Sequence, residues 1–127
     1  MTLPTDLRYT HDHEWLRVTG STWRVGITQF AVDQLGDITL VDLPREGDLI
    51  TKGQRFGTIE SVKSVSDLYA PVSGKVTAVN GSLKDSPEQV NTEPYDAGWM
   101  IELEPTEKSE LSELLSPDAY AKHVAAQ

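Results

Sequence analysis

Hydrophobic and polar positions alternate through the first half of the chain. HEWLRVT and TWRVGIT each switch between apolar and polar side chains and are separated by Gly20-Ser21, which predicts two strands joined by a turn. The alternation then gives way to helical spacing through Phe30, Ala31 and Leu35. Thr28 is placed to cap that short helix and Gly36 to end it. DITLVDLP alternates again and is stopped by Pro44, and Glu46-Gly47-Asp48 marks the next turn.

The stretch FGTIESVKSVSDLYAPVSG (56–74) holds two short apolar strands around a lysine between two serines, with no glycine or proline at the bend. A bend centred between Val62 and Lys63 makes paired residue numbers sum to 125. Phe56 then faces Tyr69 as an aromatic cross-strand pair, while Ile59 and Leu68 fall on the opposite face and enter the core. A type I turn accepts Val and Lys at its centre, whereas the primed turns require Gly or Asn.

KVTAVN predicts a further strand ending at the Asn80-Gly81 turn signal. SLKDSPEQVNTEPYDAG is rich in breakers and predicts one or two helical turns; GWMIELEP predicts a last strand. The tail turns helical over SELSELL and again from Ser116-Pro117, where serine caps and proline takes the first helical position. No linker or low-complexity run interrupts the 127 residues, so a single domain over 1–127 is expected, mainly β, with helices at its margins.

The chain carries 20 Asp and Glu against 11 Lys and Arg, a formal charge of -9. That balance argues against nucleic acid and anionic membrane surfaces as partners. Cysteine is absent, which excludes disulfides, thiolate metal sites and a cysteine nucleophile. The N-terminus shows no basic region followed by an apolar run, and no segment reaches the apolar length of a membrane span. A soluble, monomeric, cytoplasmic protein is expected, or a matrix protein if the chain is a mature mitochondrial one.

Lys63 admits two readings. It is either a solvated loop-tip lysine, where most lysines are found, or an amine presented to an acyl-transferring enzyme. The second needs a protruding turn with small neighbours, which Ser61 and Ser64 supply. Gly47 lies sixteen residues before the lysine, Gly74 eleven after it, Glu60 three before, and Ala70-Pro71-x-x-Gly74 follows. This framing resembles the biotinyl/lipoyl carrier domains. The methionine flanks of biotin carriers and the Asp-Lys-Ala of 2-oxoacid dehydrogenase lipoyl domains are both absent. ESVKSVSDLYAPVSG, HEW at His13–Trp15, VGIT followed by LGDI, LPREGD and PYDAGWMIEL together resemble the H proteins of the glycine cleavage system.

That resemblance implies a flattened barrel-sandwich hybrid of two antiparallel sheets, with (R)-lipoate in amide linkage to Lys63. It implies a non-catalytic shuttle. A pyridoxal-phosphate glycine decarboxylase (P protein) loads an aminomethyl group onto the arm, and a tetrahydrofolate-dependent aminomethyltransferase (T protein) unloads it. Dihydrolipoamide dehydrogenase (L protein) reoxidises the dithiol, and a lipoate ligase or octanoyltransferase first modifies the lysine. The alternatives are a depot that donates lipoate to other enzymes and an unmodified interaction module.

The family shelters its loaded arm in a surface cleft. Glu14 matches the cleft carboxylate beside the tryptophan, and Asp67 follows the lysine on the hairpin; each is a candidate contact for the amine, or otherwise an ordinary exposed acid. Gln34 stands where many members carry histidine, so it can hydrogen-bond the arm but cannot titrate near neutral pH. Asp12 stands where others often have serine. Glu60 is a candidate for recognition by the lipoylating enzyme, or a solvated strand residue.

Other signals are weaker. His11 and His13 form H-x-H, but the third histidine, His123, is far off in sequence, so no metal site is expected. Asn80-Gly81-Ser82 fits a glycosylation sequon but is first of all a turn. Glu107, Glu110 and Glu113 read as a solvated helix face.

Overall fold

A computed structural model describes residues 3–127, so the first two residues of the expected domain lie outside it. Strands β1 (Arg8–Tyr9), β2 (Glu14–Thr19) and β3 (Thr22–Ile27) come first, followed by helix α1 (Gln29–Leu35) and strand β4 (Ile38–Asp42). Next are β5 (Leu49–Ile50), β6 (Arg55–Ser61), β7 (Val65–Tyr69) and β8 (Gly74–Val79). Short helices α2 (Ser82–Asp85) and α3 (Gln89–Thr92) lead to β9 (Ile101–Pro105), a 3-10 turn (Lys108–Glu113) and α4 (Pro117–Ala125).

The strands form two antiparallel sheets, one in the order β1-β2-β3-β9-β8-β5 and the other β4-β6-β7. This is the expected barrel-sandwich arrangement. The main core lies between the sheets and includes Val25, Ile59, Leu68, Val72, Met100 and Leu103. A second cluster, Leu7, Tyr9, Trp15 and Tyr120, seats α4 against β1 and β2.

Local signals worked where they were expected to. Thr28 Oγ1 accepts from Ala31 N and Gly36 takes φ +80° at the end of α1. Ser116 accepts from Ala119 N ahead of Pro117. β1 and β5, two residues each, were not anticipated; a strand that short exists through its partner rather than its own pattern.

The hairpin follows the sum of 125 from Gly57–Leu68 to Glu60–Val65, but the Phe56–Tyr69 pair does not form. A bulge between Arg55 and Gly57 sets Arg55 opposite Tyr69. The cause is burial. Strict alternation would put Phe56 on the outer face with Thr58 and Glu60, and the extra residue instead turns Phe56 inward, leaving it 8% exposed.

One other reading is corrected. The acidic stretch near the C-terminus is not merely solvated, since Glu110 accepts from the amide and hydroxyl of Ser73 at 2.7 and 3.1 Å and Glu113 accepts from Lys52 Nζ at 2.8 Å. At Asn80-Gly81 the expected turn forms, with Leu83 N donating to Asn80 O at 3.2 Å, and the chain runs on into α2. The Asn80 side chain is buried, with Nδ2 donating to Ala97 O and Trp99 O.

Candidate functional site

Lys63 stands exposed at the tip of the β6–β7 hairpin. Ser61 N donates to Ser64 O at 2.8 Å, and Ser61 Oγ accepts from the amides of Lys63 and Ser64, both at 3.2 Å. The serine hydroxyl therefore closes a bend that contains no glycine. The flanking serines are small, and the Ser61 hydroxyl also braces the tip.

The tip is tied to the end of α1. Val62 N donates to Asp37 O at 3.0 Å. Asn91, on α3, clamps the same loop from behind: its Oδ1 accepts from Ile38 N and its Nδ2 donates to Gly36 O, both at 2.9 Å. The lysine stem passes beside Gly36, where a Cβ would make ordinary van der Waals contact with Lys63 Cε at 3.4 Å. Gly36 thus serves twice, as a helix stop at positive φ and as a bed for the lysine. Its neighbours Gln34 and Leu35 lead into a cleft.

That cleft, about 470 Å³, lies beside β7 between α1 and the loop ahead of β2. Ala31, Leu35, Ile59 and Leu68 give it an apolar stretch; Asp12, Glu14 and Asp67 give it an acidic one. From Val65 to Tyr69 the strand spans about 13 Å at its usual rise per residue, so the cleft suits a long flexible arm leaving Lys63.

Glu14 is the unusual group. It is only 2% exposed, so it is not the ordinary exposed acid of one sequence reading. Thr10 Oγ1 donates to Oε1 at 2.6 Å, and Tyr69 N donates to Oε2 at 3.4 Å. Burial outweighs these bonds and pushes its pKa up to about 8, because a low-dielectric site penalises the carboxylate form.

The structure thus brings Glu14, Gln34 and Asp67 to one cleft. Asp67 is half-exposed and within reach of Tyr69 Oη at 3.4 Å and an Arg55 guanidinium nitrogen at 3.7 Å. Gln34, on α1, is exposed and lines the same cleft. Glu60 does not line the cleft; it lies on the outer face of the hairpin, opposite Val65.

Sequence reasoning passed over Asn91, Thr10 and the bedding role of Gly36. It also separated three histidines that the fold brings together. His123 on α4 stacks edge-on to His11, with ring centroids 4.7 Å apart, and lies 5.6 Å from His13. His13 Nδ1 is hydrogen-bonded to Tyr120 Oη and His123 Nε2 to His11 O. Burial holds the His13 pKa below its ordinary value, so the neutral ring is favoured. Among the described residues, no group of three or more His, Cys, Asp or Glu is placed to hold a metal ion.

Fold and site together define a barrel-sandwich β protein that presents one lysine on a hairpin beside an acidic-ended cleft. The sequence profile described as glycine cleavage H-protein matches residues 7–127. The chain is 56% identical over 122 residues to a probable glycine cleavage system H protein of Haloarcula marismortui, covering 96% of each. It is 55% identical over 122 residues to the glycine cleavage system H protein of Listeria monocytogenes, covering 96% of this chain and 98% of that one. The crystal structure of a glycine cleavage system H protein from Mycobacterium marinum superposes with a TM-score of 0.90 at 40% identity, covering 97% of this chain and 99% of that one. The chain belongs to the glycine cleavage H-protein family.

Proposed function

We propose that this chain is a soluble, cytoplasmic, non-catalytic carrier whose Lys63 bears lipoate and shuttles the aminomethyl group of glycine from P protein to T protein. The observation that carries this reading is the path from Lys63 across Gly36 to the cleft that ends at buried Glu14. When attached to Lys63, the lipoyl group would supply the sulfur redox chemistry that a chain without cysteine lacks, with L protein as the enzyme that would reoxidise it.

The chain's own residues hold and shelter. The apolar stretch of the cleft receives the hydrocarbon arm and excludes water from it. Glu14, with Asp67 at the rim, receives the cationic amine of the cargo. Burial keeps Glu14 neutral until a cation pairs with it; the pairing favours the carboxylate, and the proton leaves to solvent. Gln34 hydrogen-bonds the arm near its root. Glu60, outside the cleft, is read by the lipoate ligase or octanoyltransferase. The acidic lining favours the shuttle over a lipoate depot, which needs no cation site.

The test is intact mass with peptide mapping after incubation with lipoate, ATP and a lipoate ligase, beside Lys63→Arg. A single lipoyl increment on Lys63, absent from the variant, is expected; the modified chain then supports glycine decarboxylation with P protein. A wild-type chain left unmodified while a control carrier is lipoylated overturns the carrier. A lipoylated chain inert with P protein leaves the depot.

A further inference from the structure

Five large hydrophobic side chains stand exposed among the described residues: Val18, Leu40, Leu49, Val62 and Val65. Three of them gather at the lysine tip. Leu40 on β4 lies directly opposite Glu60 on β6, which lies directly opposite Val65 on β7. Paired residues share a face of the sheet, so Leu40, Glu60 and Val65 form one row on the outer face, and Val62 stands exposed in the bend beside Lys63. Their exposures are 46%, 63% and 68% for Leu40, Val65 and Val62. No folding requirement places three apolar side chains in water around one lysine.

The next row on the same face is Asp42, Thr58 and Asp67. An apolar patch is therefore bordered by the carboxylates of Glu60, Asp42 and Asp67, with Arg55 beside Asp67. A groove of about 420 Å³ continues the patch along the β4 edge, lined by Leu40, Leu43, Pro44 and Val79, with Lys84 at its side. β4 and β7 are the opposite edges of the three-stranded sheet. The groove is at the β4 edge, and the arm cleft is at the β7 edge.

We propose that the face formed by Leu40, Val62 and Val65 around Glu60 is the docking surface for the enzyme that acylates Lys63, whose matching surface is an apolar ridge bordered by basic side chains. The proposal rests on the carrier reading above. The occupant follows from reach. An enzyme that acts on the loaded arm meets its substrate at the end of a long tether, whereas the acylating enzyme must accept the bare ε-amine and so must seat the protein within a few ångströms of the tip. Docking from the β4 side also leaves the β7-side cleft free to receive the new arm. Desolvated apolar contacts supply the affinity of such interfaces, and the rim charges supply the approach rate.

The test is steady-state lipoylation by a lipoate ligase with lipoate and ATP, followed by intact mass, on Leu40→Ser, Val65→Thr and the double variant. Leu49→Ser, at 77% exposure on β5 and away from the tip, is the control. The double variant should raise KM for the carrier at least about tenfold with kcat held within about twofold, while Leu49→Ser matches wild type. All these positions are exposed, so far-UV circular dichroism and the melting temperature should hold, which separates lost docking from lost folding. In a low-salt comparison, Glu60→Gln should slow loading and raised salt should shrink the difference. A double variant lipoylated with wild-type KM overturns the docking surface alone. A wild-type chain that is never lipoylated overturns the carrier reading and the docking surface with it.

Discussion

Glu14 ties stability to pH in a direction opposite to most carboxylates. Its pKa rises from an ordinary 4.5 to about 8 through burial. The folded chain therefore holds the proton more tightly than the unfolded chain does. The stabilisation is fully present below pH 4.5, falls as pH rises, and is lost above pH 8. At about 1.36 kcal/mol per pH unit, the interval of about 3.5 units corresponds to on the order of 4 to 5 kcal/mol. For 127 residues, 1 kcal/mol moves the melting temperature by roughly 4 °C, so a fall of roughly 15 °C between pH 5 and pH 8 is the ceiling. His13 contributes with the opposite sign, because burial lowers its pKa and its stabilisation is lost as pH falls through that region. Glu14→Gln separates the two: the amide is neutral at every pH and still accepts from Thr10, while His13 is unchanged. The assay is thermal unfolding of wild type and Glu14→Gln from pH 5 to 8.5. The wild-type curve should fall relative to the variant across the interval, and the two should differ most at the alkaline end. Parallel curves would refute the buried neutral carboxyl, and with it the argument that a cation is needed to ionise Glu14.

Two further changes probe the frame around the site. Asn91→Ala leaves Ile38 N and Gly36 O without their partners and should cost about 1–3 kcal/mol. By hydrogen exchange, the Val62 amide, held by Asp37 O, should lose protection while β2 and β3 keep theirs; an equally protected Val62 would sink the clamp. Gly26→Ala places a Cβ 2.6 Å from the Trp15 ring, which is fully buried with its Nε1 donating to Pro94 O at 2.9 Å. Overpacking of this kind costs about 1–3 kcal/mol, read as a lower melting temperature with an altered tryptophan emission, and a variant as stable as wild type would show that Trp15 has room to move.

The chain by itself determined whatever depends on neighbours a few residues apart. Thr28 and Ser116 announce their helices because a cap acts over three residues. The hairpin register from Gly57 to Glu60 follows from alternation about a single centre, and with it the position of Lys63 at the tip. The family motifs lie in these same local segments. Tertiary structure decided what depends on distant partners. Phe56 left its expected pairing because the core beneath β6 could bury it, and β1 and β5 exist only through the strands they border. Glu14 reads as one acid among twenty, yet in the fold it is buried and accepts from the amide of Tyr69, 55 positions away in the chain. Asn91 reaches Ile38 across 53 positions, and His123 meets His11 across 112. A local pattern carries no record of such contacts, because burial and electrostatic environment are properties of the packed whole, and the chemistry of the cleft rests on both.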